Sequence, residues 1–197
     1  MNNVVQIIAL PVLAGLLLFF LPGRLRILKG ILALAVSLLT LWWAVVIFGG
    51  EPFSGIPQLA GTYEFSGFCT MTVDGLSRLI LLFAATLAVL IACYTLGYKR
   101  LEGMRNFYSW FLITLGFTYG ALLAANLLFF LVCWGILGIT LYQLIPRNDD
   151  GSSRAASKTL VMIGASDGIM ILGIALLWRI TGTLNMYEIR VPTSDVV

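Results

Sequence analysis

Six apolar runs separated by short polar stretches organise the chain: residues 4–21, 30–48, 76–97, 107–124, 127–145 and 157–178. Each lies near the roughly 20 residues that an α-helix needs to cross the hydrocarbon core of a bilayer. The pattern predicts an all-α membrane protein with six transmembrane helices, forming one helical domain over residues 1–197. The first run is not read as a secretory signal, because MNNVVQ lacks a positive n-region and no small-residue cleavage site follows. Pro11 is expected to kink this first helix or to sit near its outer end, with neighbouring helices satisfying the freed carbonyl.

The polar stretches alternate in charge. Arg24, Arg26 and Lys29 separate the first two runs; Lys99, Arg100 and Arg105 separate the third and fourth; Arg147, Arg154 and Lys158 separate the fifth and sixth. The intervening loops hold no such cations: residues 49–73 carry Glu51 and Glu64, and the Ala125-Asn126 turn is uncharged. By the positive-inside bias, both termini are non-cytoplasmic, with Arg179 and Arg190 as the opposing cations.

No loop is long enough to fold as a soluble catalytic domain. In the longest, polar and apolar residues alternate around Tyr63 and Phe65 and again around Met71 and Val73, which predicts a short hairpin over the outer end. RNDDGSSRAASK, residues 147–158, reads as an irregular cytoplasmic loop with Ser152 or Ser153 capping the sixth helix.

Composition agrees with the pattern and narrows the chemistry. Hydrophobic residues make up 60% of the chain and charged residues 11%, well below the roughly one quarter usual in soluble domains. The chain has no histidine, which excludes imidazole-ligated haem and a histidine-based metal site. Cys69, Cys93 and Cys133 are too far apart for zinc or iron–sulfur spacing and read as buried small apolar residues. No cofactor is expected, and a scattered net charge of +3 does not suggest nucleic acid.

Charge inside a span costs roughly 2.5–3.5 kcal/mol at the helix centre on insertion scales, so it marks candidate function. Asp167, in LVMIGASDGIMILG, falls near the middle of the sixth run between Gly164 and Gly168. It is either a hydrogen-bonded packing residue on a small-residue face or a carboxylate on a proton or ion path. Arg78 follows Asp74 by four residues, a spacing that suits a local ion pair near the outer interface. Gly120, Gly135 and Gly138 would let the fourth and fifth helices approach others closely, while Tyr98, Tyr108 and Trp178 read as interface anchors.

Three stretches together resemble the antiporter-like subunits shared by respiratory complex I, membrane-bound hydrogenases and Mrp-type cation/proton antiporters. VDGLS at 73–77 and YTLGY at 94–98 bracket a helix similar to the third transmembrane segment of that family. FLVCWGILGITLYQLI resembles its fifth segment, F-x-x-W-E-x-x-x-L-x-S-Y-x-L-I, with Trp134 and Tyr142 as register markers. AASKTLVMIGASDGIMILGIALLW and GTLNMYEI resemble its sixth segment and the connection that follows.

The resemblance, to the N-terminal half of such subunits, implies a polar axis at mid-membrane that carries protons or exchanges them for cations. In the family, a glutamate on the fifth helix pairs with a lysine on a broken seventh helix, and a lysine on the eighth continues the relay. Here Gly135 occupies the glutamate position, and the sequence ends at Val197 before a seventh helix. Glycine neither binds a proton nor biases a lysine, so the usual relay is not transferred, and Asp167 is the acidic position retained.

A half-repeat would leave helix faces open, so the chain is expected to bind other integral membrane subunits within the bilayer. The resemblance places it in the inner (cytoplasmic) membrane of a bacterium or archaeon. Two readings follow. In one, Asp167, Thr140 and Lys158 contribute to a proton or cation path completed by a partner in a redox complex or antiporter. In the other, the chain is a non-conducting scaffold, as Gly135 favours.

Overall fold

The computed structural model describes residues 2–22, 25–50, 70–97, 106–145 and 150–190. They form six α-helices: α1 (Asn2–Phe20), α2 (Arg26–Gly49), α3 (Gly75–Gly97), α4 (Phe107–Leu123), α5 (Leu127–Leu144) and α6 (Asp150–Thr181). No strand occurs among the described residues; two isolated antiparallel bridges are the only extended pairings there. By length and apolarity, α2, α3, α5 and α6 can each cross a membrane, and α1 and α4 contain shorter apolar helices. The chain is an integral membrane protein of apolar helices.

The core forms around α4, which packs against α1 and α5. Its buried residues, including Tyr108, Leu112, Leu115, Gly116, Tyr119 and Leu123, occupy several faces of the helix. An apolar helix with partners on several sides belongs inside a bundle. Glycine is required where α1 crosses it: a Cβ on Gly116 would fall 2.4 Å from Val12 Cγ2 and 2.9 Å from the Ile8 carbonyl oxygen. A Cβ on Gly15 would approach the Ser109 carbonyl oxygen to 2.8 Å. Pro11 lies inside α1 and is fully buried. The same crossing runs antiparallel, with Ile8 beside Gly120 and Gly15 beside Ser109.

A second seam joins α2 to α3. Ala33, Ser37, Thr40 and Ala44 are buried on α2, opposed by Leu81, Ala85, Ala88 and Ala92 on α3. Both stripes advance by steps of three and four residues, the spacing of a narrow helix–helix seam. Apart from Leu81 their side chains are small and let the helices approach closely, as in membrane helix packing. Buried hydroxyls are satisfied locally: Ser37 donates to the Ala33 carbonyl at 2.8 Å and Thr40 to the Ser37 carbonyl at 2.9 Å. The Thr40 hydroxyl also lies 3.4 Å from that of Tyr119.

At one end of the bundle, three segments make a small main-chain clasp. Thr72 N–H donates to the Leu123 carbonyl at 3.0 Å and Ala125 N–H to the Thr70 carbonyl at 2.9 Å. From the other side, Leu127 N–H donates to Leu184 and Met186 N–H to Ala125, each at 2.9 Å. These bonds satisfy groups that the end of α4 and the start of α5 cannot pair within their own helices. The Asn126 side chain caps α5 by accepting from Leu128 N–H at 2.8 Å.

Several expectations change. Helix α6 begins at Asp150, so Ser152 and Ser153 lie within it and do not precede it as caps. The helix therefore runs on through a polar stretch, in which Ala155 and Ala156 favour it and Gly151 does not. Lys29, counted with a loop, is in α2 and only 2% exposed. Tyr108 is a buried residue whose hydroxyl donates to the Thr95 carbonyl at 3.2 Å, not an interface anchor. Cys133 is buried as expected, whereas Cys93 is exposed because it projects away from the α3 seam. Arg78 and Asp74 each bind elsewhere: the Arg78 guanidinium donates to the Gly50 carbonyl at 2.5 Å, and Asp74 accepts from Tyr187. Met71 pairs with Ala124, while Tyr63, Phe65, Cys69 and Tyr98 lie outside the described residues.

Candidate functional site

The site lies between α5 and α6. The half-buried residues of α6 are Ile163, Asp167, Met170, Ile174, Leu177 and Thr181, with spacings of four and three residues. They form the stripe that faces α5, the helix on which α6 packs. Asp167 therefore points into the helix–helix seam because of its register, with apolar residues one turn above and below.

On α5, Trp134 supplies the polar partner. Its indole Nε1–H donates to Asp167 Oδ1 at 2.9 Å. Phe130, one turn earlier, stacks on the indole with centroids 5.7 Å apart and planes inclined by 27°. One turn later, Gly138 is buried; a Cβ there would lie 3.8 Å from Asp167 Oδ2 and 3.5 Å from Ile163 Cγ2. One face of α5 thus presents, in order, an aromatic support, a hydrogen-bond donor and a small residue against which the second carboxyl oxygen rests.

Gly135 faces elsewhere. A Cβ built on it meets nothing within 4 Å, and the residue is exposed. One residue advances an α-helix by about 100°, which turns this position out of the α5–α6 seam that Trp134 and Gly138 share. A side chain placed there would project from the described bundle. Gly138 behaves as the sequence suggests and so does Gly120, whose Cβ would lie 2.9 Å from Cys133 Sγ; Gly135 mediates no packing among the described residues.

The other proposed path residues do not join Asp167. Thr140 is 1% exposed, and its hydroxyl donates to the Leu137 carbonyl at 3.0 Å within α5. Lys158 is exposed, nine residues before Asp167 on the same helix. That separation is about 13 Å along the axis and two and a half turns, which points the two side chains to opposite faces. Tyr142 is half-buried on α5. Trp134, identified from sequence only as a register marker, is the residue that touches the acid.

Sequence reasoning also missed the buried polar residues of the α2–α4 region. Lys29, Ser37, Thr40, Ser109 and Tyr119 are all buried there. The available signal was the step of three and four residues through Ala33, Ser37, Thr40 and Ala44, which places the two hydroxyls on the small-residue face of α2. No group of histidine, cysteine, aspartate and glutamate suited to a metal ion occurs among the described residues.

Residues 124–193, which contain α5, α6 and the segment that follows α6, match the family described as NADH:quinone oxidoreductase/Mrp antiporter, transmembrane. NADH-quinone oxidoreductase subunit L of Pseudomonas aeruginosa is 29% identical over 194 residues, covering 92% of this chain and 32% of that protein. A Na+/H+ antiporter subunit of Bacillus subtilis is 27% identical over 201 residues, covering 99% of this chain and 40% of that protein. The chain thus spans well under half the length of these relatives.

The fold has counterparts in solved structures. A chain of the membrane-bound sulfane sulfur reductase, an archaeal respiratory membrane complex, superposes with a TM-score of 0.81 at 22% identity, covering all of this chain and 41% of that one. Respiratory complex I from Thermus thermophilus with bound NADH gives a TM-score of 0.76 at 23% identity, over 94% of this chain and 38% of that one. Sequence and fold agree: the chain resembles the antiporter-like membrane subunits of complex I and the Mrp antiporters.

Proposed function

We propose that the chain is a membrane subunit of a proton- or cation-translocating redox complex or antiporter, related to the membrane arms of NADH:quinone oxidoreductases. The observation that carries this reading is Asp167, a carboxyl group within an apolar helix seam that is held by the Trp134 indole. An ionisable group at that depth is costly unless its polarity is used or satisfied. The indole satisfies one oxygen, and the other faces the small Gly138. That second oxygen is the position from which a proton or cation is exchanged with a neighbouring polar group.

In this reading, all six helices of the single domain cross the inner (cytoplasmic) membrane of a bacterium or archaeon, with both termini non-cytoplasmic. The alternating cationic loops support this orientation. Other integral membrane subunits cover the apolar surface of α6, where Val161, Met162, Ile169 and Leu172 are exposed. Thr140 and Lys158 contribute to the path through groups other than Asp167, since neither touches it. The relatives from Pseudomonas and Bacillus belong, by their names, to an NADH-quinone oxidoreductase and a Na+/H+ antiporter, which supports translocation as the shared task.

A scaffold role is the second reading, favoured by the absence of a side chain at Gly135. Asp167→Asn separates the two. Translocation by vesicles carrying the assembled complex is expected to fall at least tenfold while the subunits remain associated. Full translocation in that variant, together with loss of the assembly when the chain is deleted, would establish the scaffold role instead.

A further inference from the structure

We propose that Trp134 is a positioning residue for Asp167, fixing against the surface of α5, beside the empty position at Gly135, the carboxyl group that α6 brings to it. The inference rests on the proposed role of Asp167 and extends it to a residue that does not exchange protons. Within α5, residues Leu127–Leu144, there is no aspartate or glutamate. The acid enters from the opposing helix, 33 positions away in sequence, and meets the donor one residue before the empty position.

Three features make this a built arrangement. The indole is fixed from one side by the stacked Phe130 ring, which restricts its rotation. Its single N–H donor, which has no acceptor function of its own, is spent on Asp167 Oδ1 at 2.9 Å. Gly138, a turn further on the same face, keeps the space beside Oδ2 open to 3.8 Å from where a Cβ would sit. A larger residue at 138 would meet Ile163 and the carboxyl together, and a residue without a donor at 134 would leave both oxygens unheld in an apolar seam.

The geometry also explains how Gly135 is compatible with a retained acid. A glutamate at 135 would leave α5 in a direction where nothing lies within 4 Å of its Cβ. Asp167 instead reaches α5 on the adjacent face, about 100° around the helix. The retained carboxyl thus lies beside the empty position and not in its place, and Trp134 fixes it there.

The test uses the complete assembly in membrane vesicles and two changes at position 134. Trp134→Phe removes the donor and part of the ring; replacement by 3-benzothienylalanine keeps the bicyclic shape and removes only the N–H. The Asp167 carboxyl band is identified in infrared spectra by its loss in Asp167→Asn. Both changes at 134 are expected to shift that band and to reduce translocation about tenfold, the loss of one hydrogen bond to a potentially charged group. Packing alone would leave the benzothienyl protein unchanged in both measurements, and that result would overturn the proposal. If Asp167→Asn itself leaves translocation intact, the functional reading fails first; if it abolishes translocation while both changes at 134 are silent, only the positioning role fails.

Discussion

The Tyr187 hydroxyl donates to the Asp74 carboxylate, tying the segment after α6 to the residue before α3 across 113 positions of sequence. The same hydroxyl lies 2.7 Å from that of Thr72. Together with the main-chain bonds at Leu127 and Met186, this contact holds the C-terminal end of α6, which otherwise packs mainly on α5. Tyr187→Phe is expected to increase amide hydrogen exchange at Met186 and Leu127 while leaving α1 and α4 protected. The loss of global stability should be at most about 1 kcal/mol, because the contact is exposed. Unchanged exchange at both amides would show that the main-chain bonds hold the clasp without the phenol.

The clasp also has a pH dependence whose sign follows from the phenol. Donation to the Asp74 carboxylate, opposed in part by the Thr72 hydroxyl, raises the Tyr187 pKa above its ordinary value of 10.0. The neutral phenol is thus favoured in the folded protein. Its contribution is fully present below the unfolded value and is lost as pH rises through the higher folded value. Tyrosinate absorbance, compared between the parent and Tyr187→Phe, should show one phenol titrating later than an ordinary tyrosine. A phenol that titrates at the ordinary value would place the hydrogen bond outside the solution structure.

Two glycines in neighbouring helices should respond oppositely to the same substitution. Gly135→Ala adds a Cβ where nothing lies within 4 Å, so only backbone entropy changes, and a gain of about 0.5–1 kcal/mol is expected. Gly116→Ala drives a Cβ to 2.9 Å from the Ile8 carbonyl oxygen and 2.4 Å from Val12 Cγ2. Relief requires α1 to move away from α4, at a cost of about 1–3 kcal/mol. Thermal unfolding in detergent measures both, and equal effects would contradict the close crossing of α1 and α4.

The helices were legible because membrane burial writes a strong signal: long apolar runs have no other stable use of their backbone polar groups. Their contacts were less legible. Trp134 and Asp167 are 33 positions apart, and neither residue's local pattern names the other. Asp167 stood out by its cost in an apolar segment, whereas its partner resembled any aromatic residue of a membrane helix. Lys29 was counted with the flanking cations because sequence shows proximity to a span end, not which way a side chain turns. The clasp was hidden for another reason: its segments are only a few residues long, and its register depends on where α4 ends and α5 begins.

Orientation in the bilayer can be tested at the two ends of α6. Asn185 lies in the clasp, beside the turn between α4 and α5, while Arg154 lies near the start of the helix. The 32 residues of α6 span about 48 Å at 1.5 Å per residue, more than the roughly 30 Å hydrocarbon core. Both positions can therefore reach water, on opposite sides. The orientation proposed from the cationic loops puts Arg154 on the cytoplasmic side. With the native cysteines replaced by serine or alanine, Asn185→Cys should react with an impermeant maleimide added outside intact cells, and Arg154→Cys only after the membrane is opened. The reverse pattern would invert the topology and would place the Tyr187–Asp74 clasp on the cytoplasmic side. Labelling of both from outside would instead mean that α6 does not cross, leaving the Asp167 site without the apolar surroundings on which its proposed role depends.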